Sequence, residues 1–161
     1  MLIRPLDAIA DLDAVVALYR KAADYWLLAD RRAPDRQKAA DFFTDGPPGC
    51  DPGASWRLGA FQDGALIGVA ELSFGFPQAG DAYLGLMLLD PAARGSGLGV
   101  TLLADITARA RAAHAPNLYL AVLQANPRGR AFWQREGFRP TGLSGTGSDS
   151  GHILHRLVKP L

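Results

Sequence analysis

Between Ala82 and Leu123 the chain passes from an almost unbroken apolar run, AYLGLMLL, through a glycine-rich turn, LDPAARGSGLG, and later reaches a second apolar run, LYLAVL. The segment between the turn and the second run carries Leu98, Leu102, Leu103, Ile106, Ala110 and Ala113 on one side at helical spacing, and it stops before Pro116. A strand, a glycine loop, a helix and a strand in that order demand a mixed α/β architecture. The first run, apolar at nearly every position, reads as a central strand covered on both faces.

The flanking sequence extends this unit in both directions. Leu12, Val15, Val16, Tyr19, Ala22, Ala23 and Trp26 share one face, so residues 8 to 28 read as an amphipathic helix with Asp7 as its N-cap. A second helix is expected from Asp35 to Phe43. Asp45 to Gly53, DGPPGCDPG, holds three prolines and three glycines, which forbid regular structure across it. Trp56 to Phe61 and Leu66 to Phe74 read as strands joined at Gln62-Asp63-Gly64, because Asp-Gly supplies the left-handed backbone of a tight hairpin. Residues 128 to 136 read as a short helix stopped by Gly137, and Phe138 to Gly142 and His152 to Val158 as two late strands. Gly142 to Gly151, GLSGTGSDSG, is expected to be a mobile excursion between them. The order β-α-α-β-β-β-α-β-α-β-β predicts an α/β fold: one mixed sheet of about seven strands with helices on both faces, formed by residues 1 to 161 as a single domain.

Charge and composition narrow the function. Seventeen Lys and Arg against 16 Asp and Glu give a net charge of +1, without the basic excess of a general nucleic-acid binder. Residues 1 to 80 carry 8 basic and 11 acidic groups and residues 81 to 161 carry 9 and 5, a split that reads either as sampling on a short chain or as a basic half that meets an anionic ligand. No run approaches the roughly 20 apolar residues of a membrane span and no secretory leader is visible, so the expected location is the cytoplasm. Cys50, the lone cysteine, has no internal disulfide partner.

The glycine loop carries the chemistry. Gly95, Gly97 and Gly99 at alternate positions let backbone N–H groups turn inward, and the positive end of the following helix points at the same spot, which together make a phosphate cradle. A P-loop would need Gly-Lys-Ser/Thr where Gly99-Val100-Thr101 stands, and the dinucleotide fingerprint would need glycine at Val100 or Leu102. What does fit is R-x-x-G-x-G at Arg94, Gly97 and Gly99, behind Leu89-Asp90-Pro91. With Asn126, Trp133 and Gly137-Phe138 at the spacing of N-x-x-A-x-x-[FL]-[YF]-E-x-x-G-F, the chain resembles the GNAT superfamily of acyl-CoA-dependent N-acyltransferases, and the element order matches across essentially its whole length.

The resemblance implies acetyl-CoA as acyl-donor co-substrate. Leu88 and Leu89 would offer backbone groups to the pantetheine arm and thioester, and Arg94, Gly95, Ser96, Gly97, Leu98 and Gly99 would wrap the pyrophosphate. Asn126 would contact the pantetheine or acyl region, and Arg128 and Arg130 lie where they could reach CoA phosphates or simply face solvent. The two central strands would run parallel and splay apart to admit the cofactor. Many members carry a Tyr that protonates the departing thiolate; here Trp133 stands in its place. An indole N–H donates a hydrogen bond but gives up no proton near neutral pH, so Trp133 is expected to pack beside the sulfur.

The other half of the reaction is attack by a neutral amine, with the oxyanion held by a backbone N–H of the splayed strand. Glu71 is the candidate base: a lone acid in the apolar strand LIGVAEL, it must either face water or sit in a cleft where its charge is useful. Asp81 and Tyr83 are secondary candidates. His152 and His155, three apart on a strand, point to opposite faces and share no metal; no metal site is expected, and Cys50 reads as an incidental loop thiol. The N-terminal helices and late loop would wall the acceptor side. Their Tyr25, Trp26, Phe42 and Phe43, with Asp24, Asp30 and Asp41, favour a small cationic amine over a peptide or protein. The expected function is N-acetyl transfer to a small-molecule amine, with no nucleic-acid or membrane partner and a homodimer left open. A catalytically silent acyl-CoA sensor is the rival from another class.

Overall fold

The computed structural model describes residues 1–147 and 151–161. Its elements are β1 (Leu2–Pro5), α1 (Leu12–Lys21), α2 (Ala23–Asp30), α3 (Arg36–Asp41), β2 (Trp56–Gln62), β3 (Ala65–Phe74), β4 (Ala82–Leu89), α4 (Leu98–Ala112), β5 (Asn117–Leu123), α5 (Pro127–Arg135), β6 (Arg139–Thr146) and β7 (Ile153–Pro160). All seven strands form one sheet in the order β1-β2-β3-β4-β5-β7-β6. Only β4 and β5 pair in parallel; every other neighbouring pair is antiparallel. The mixed α/β fold expected from the sequence is the one observed.

Strand alternation divides the core in two. On one face Leu58, Ala70, Leu72 and Leu84 pack with Leu102, Ile106 and Trp133 of α4 and α5. On the other, Leu66, Val69 and Leu88 pack with Val15, Tyr19, Trp26 and Phe42 of the N-terminal helices and the turn after α3. Successive strand residues point to opposite sides, so adjacent positions such as Val69 and Ala70 serve different halves of the core. The hairpin between β2 and β3 turns on Asp63 (φ 51°) and Gly64 (φ 79°), the left-handed pair that its Asp-Gly sequence predicts.

Three local expectations need correction. The single helix of residues 8 to 28 is two, parted at Ala22, whose φ of −92° and ψ of 28° leave the helical region. The apolar face runs through the break because fully buried Ala22 is small enough to sit in it. Asp7 caps the turn ahead of α1, accepting the N–H groups of Ile9 and Ala10; Asp11 holds the N-cap position, and its carboxylate binds Arg4 and the Asp7 N–H. The first half of the glycine-serine segment, residues 142 to 146, is strand: β6 extends to Thr146, pairing Ser144 with His155 and Thr146 with Ile153. Periodicity is silent there because β6 is an edge strand with seven of its eight residues exposed, so neither face selects apolar side chains. Residues 148–150 of the expected excursion lie outside the described residues.

Candidate active site

The site begins where β4 and β5 part company. Their ladder pairs Ala82 with Leu118, Tyr83 with Tyr119 and Leu84 with Leu120, then ends, although β4 runs on to Leu89 and β5 to Leu123. Each continues along its other neighbour, β4 beside β3 as far as Leu89↔Gly68 and β5 beside β7 as far as Leu123↔Leu154. From Gly85 to Leu89 the β4 backbone therefore presents one edge without a strand partner among the described residues. Gly85 is exposed and Leu86, Met87 and Leu89 are half-buried, so a strand that reads as wholly covered is open over its second half. Unpaired strand N–H and C=O groups in a cleft are ready partners for an amide-bearing ligand.

At the top of this wedge the chain turns through Pro91–Ala93 into α4. Gly95 (φ 76°) and Gly97 (φ 88°) are left-handed, a conformation that side chains with a Cβ rarely adopt. Among the described residues no side chain caps α4, and a Cβ on either glycine would meet only open space, so the positive end of the helix stands clear of side chains. Gly99 differs from the other two. It lies inside α4, and a Cβ there would stand 3.3 Å from the Phe132 ring and 3.6 Å from a Leu89 methyl. Its bareness lets α5 approach α4.

The loop side chains are engaged. Arg94 grips both carboxylate oxygens of Asp24, at 2.5 and 3.2 Å, and reaches the Leu89 carbonyl at 3.4 Å. Lys21 meets Asp90 at 3.3 Å, and the Ser96 hydroxyl donates to the Ala93 carbonyl. The two pairs straddle the α1–α2 break and the turn into α4. The Arg94 guanidinium holds the Asp24 carboxyl below the usual carboxylate range, ahead of the opposing effect of burial. Asn126, N-cap of α5, accepts the Gly129 N–H at 3.0 Å. Arg128 and Arg130 make no ion pair among the described residues.

Glu71 does not face solvent: it is 4% exposed and lies on the face of the N-terminal helices. Arg57 is its cross-strand partner, with Nη2 3.9 Å from Glu71 Oε1, and the Ser73 hydroxyl donates to the same oxygen. Burial pushes the Glu71 carboxyl above the carboxylate range, against the smaller opposing effects of Ser73, Arg57 and the Gly85 N–H. Gly85 sits at an irregularity in the β3–β4 ladder, and a Cβ there would lie 1.9 Å from Glu71 Oε2. The carboxylate occupies the space a side chain would need, at the first β4 residue past the parting of the strands.

Trp133 is 9% exposed and packs edge-on to Phe132 and Phe138, with ring centroids 4.9 and 5.4 Å away. It shares the α4 face with Ala70 and Leu72, so the sheet separates it from Glu71 and only the wedge joins the two sides. Asp81 is engaged by Asn117 Nδ2 at 3.2 Å, tying the starts of β4 and β5. Burial pushes the Tyr83 hydroxyl and the Cys50 thiol up, away from ready ionisation. His155 meets Gln124 at 3.0 Å, and His152 lies just outside β7. Of the expected acceptor wall, Trp26 and Phe42 are core residues; Asp24, Asp30 and Asp41 are bound to Arg94, Lys38 and Gln37.

Sequence reasoning passed over Arg57, Ser73, Gly85 and Phe132. Arg57 carried the same signal as Glu71, a charge inside the apolar strand WRLGAF, and Gly85 was a glycine inside a strand, which marks a bulge or a close approach. Nothing local marked Ser73 or Phe132.

The parallel pair thus opens beside a glycine-fronted helix N-terminus that no side chain caps among the described residues. A family model described as the acetyltransferase (GNAT) family matches residues 14–138, and the chain belongs to that family, which uses acetyl-CoA in reactions of the acyltransferase kind. An acetyltransferase from Thermus thermophilus is 22% identical, with TM-score 0.76 over 100% of this chain and 98% of its own. The ribosomal-protein-alanine N-acetyltransferase of Brucella melitensis is 24% identical, with TM-score 0.75 over all of both chains. The PaiA N-acetyltransferase of Thermoplasma acidophilum, solved in complex with coenzyme A, is 22% identical, with TM-score 0.70 over 99% of this chain and 98% of its own. No curated protein matches the sequence.

Proposed function

We propose that this chain is an N-acetyltransferase that passes the acetyl group of acetyl-CoA directly to the amine of a small cationic molecule, in the cytoplasm and as one catalytic unit of residues 1–161. The observation that carries the reading is the convergence on one wedge of the unpaired β4 edge, the open N-terminus of α4 and the buried Glu71. Acetyl-CoA supplies the activated acyl group. The α4 N–H groups with Gly95 and Gly97 hold its pyrophosphate, and the free β4 edge from Gly85 to Leu89 orients the pantetheine arm.

Glu71 takes the proton of the incoming amine, directly or through one water. A carboxyl held above its ordinary range is a better base than a solvated one, and its negative charge draws a cationic acceptor to the wedge. Trp133 transfers no proton. A thiol of ordinary acidity, with a pKa near 8.5 for a cysteine-like group, needs little help to leave, and the indole keeps that side of the wedge dry.

A peptide or protein acceptor is the second reading. It is favoured by the commitment of Asp24, Asp30 and Asp41 to other partners and by the ribosomal-protein substrate for which the Brucella melitensis protein is named. A thiol-release screen with acetyl-CoA against amino acids, polyamines, aminoglycosides and N-terminal peptides decides between them. Turnover with polyamines or aminoglycosides supports the first, and turnover confined to peptides replaces it by the second. Coenzyme A binding without turnover across the panel overturns the enzyme reading in favour of a sensor.

A further inference from the structure

Arg57 is a residue the fold alone does not explain. It is 7% exposed, and among the described residues its guanidinium makes one hydrogen bond, from Nη1 to the Phe42 carbonyl at 2.5 Å; Nε and Nη2 are buried with no hydrogen-bond partner among them. A buried, half-satisfied guanidinium is strongly unfavourable, and an apolar residue of similar volume would serve the fold better. Its nearest opposite charge is Glu71, and the 3.9 Å between them is too long for a hydrogen bond. The pair is close but not closed. A closed, bidentate pair would hold Glu71 firmly ionised and make it a poor proton acceptor; without any cation, a carboxyl so buried would stay protonated.

We infer that Arg57 and Ser73 are positioning residues for Glu71: the open guanidinium and the Ser73 hydroxyl keep its carboxylate charged and turned into the notch left by Gly85, at the apex of the wedge where β4 and β5 part. The inference rests on the reading of Glu71 as the base. Other groups surround the cluster. Tyr83 of β4, Cys50 and Asp45 of the α3–β2 connection act on Glu71, and Tyr19 of α1 and Asp45 act on Arg57. Tyr83, Cys50 and Tyr19 are all held toward their neutral forms by burial, which leaves Asp45 as the other carboxylate and Arg57 as the cation closest at hand.

Glu71 and Glu136 are the only glutamates in the chain, so protein labelled with carboxyl-13C glutamate gives a direct titration of Glu71. Its signal is the one missing from Glu71→Gln. Arg57→Gln and Ser73→Ala should each move that titration to higher pH, by about one pH unit for the loss of the cation, and Arg57→Lys should restore most of it. A Glu71 titration unmoved in the folded Ser73→Ala and Arg57→Gln proteins overturns the inference. The base reading is tested separately, by the pH dependence of kcat/KM with the best acceptor from the screen. A rate that ignores the Glu71 titration in the wild type overturns the base reading, even where the titration itself moves as expected.

Discussion

The ion pairs Arg94–Asp24 and Arg57–Glu71 are built in opposite ways. Arg94–Asp24, between the glycine loop and α2, is short, two-pronged and exposed, with the Asp24 side chain 60% accessible. Arg57–Glu71, across the β2–β3 pair, is long, half-satisfied and buried. Exposed pairs form and exchange with little change in free energy, so Arg94 can leave Asp24 with little penalty. Buried pairs are set by everything around them, and a change of one partner strands the other. Under the proposed function, the cofactor half would rely on backbone N–H groups and exchangeable charge, and the acceptor half on a fixed electrostatic environment.

If the halves are separable in this way, Glu71→Gln should strike the acceptor side alone. Loss of a general base costs about 10²- to 10⁴-fold in kcat/KM, with coenzyme A affinity by calorimetry unchanged. The sign with pH follows from burial. Because the Glu71 carboxyl titrates above its ordinary range, the wild-type rate should fall as pH drops through that raised value, and the variant should lack this limb. A matching loss of coenzyme A affinity would show that the halves are one.

Gly97→Val is the converse test. A Cβ at φ 88° costs about 1–2 kcal/mol of strain and intrudes where phosphate oxygens approach, so coenzyme A affinity should fall about tenfold or more while the Glu71 titration stays in place. Unchanged affinity in folded protein would sink the cradle assignment.

Trp133→Phe should separate packing from chemistry. The indole is a core residue, so the melting temperature should drop with a stability loss of about 0.5–3 kcal/mol. kcat should stay within about tenfold, the most that one neutral hydrogen bond can supply. A loss of several thousandfold would assign the indole a part in catalysis. The smallest effect is expected for Asp24→Asn, at less than about 1 kcal/mol after allowance for solvent screening. The Asp24 carboxyl is lowered in the folded state, so its contribution is present above the ordinary carboxylate range and lost as pH falls through the lowered value. Acid unfolding of the variant should be slightly less steep than that of the wild type.

What the sequence by itself determined is what depends on neighbours in the chain. The strand Ala82–Leu89, the Asp63-Gly64 turn, the glycine loop and α4 are written in periodicity, left-handed residues and a stopping proline, each readable within a few positions. The same local record showed Glu71 as an acid out of place but left open whether it met water or a cleft. Tertiary structure alone answered that, because the burial of Glu71 depends on Arg57 across a strand pair, on the bare Gly85 one strand further and on the helices above them. It also decided that Arg94 holds Asp24, 70 positions away, and that Gly99 is bare for the sake of Phe132. The amphipathic pattern of residues 8 to 28 passed unbroken over Ala22, and the edge strand β6 showed no pattern at all. Periodicity reports which side of an element is buried; it carries no information on what lies opposite, and a charge is given its role by what lies opposite.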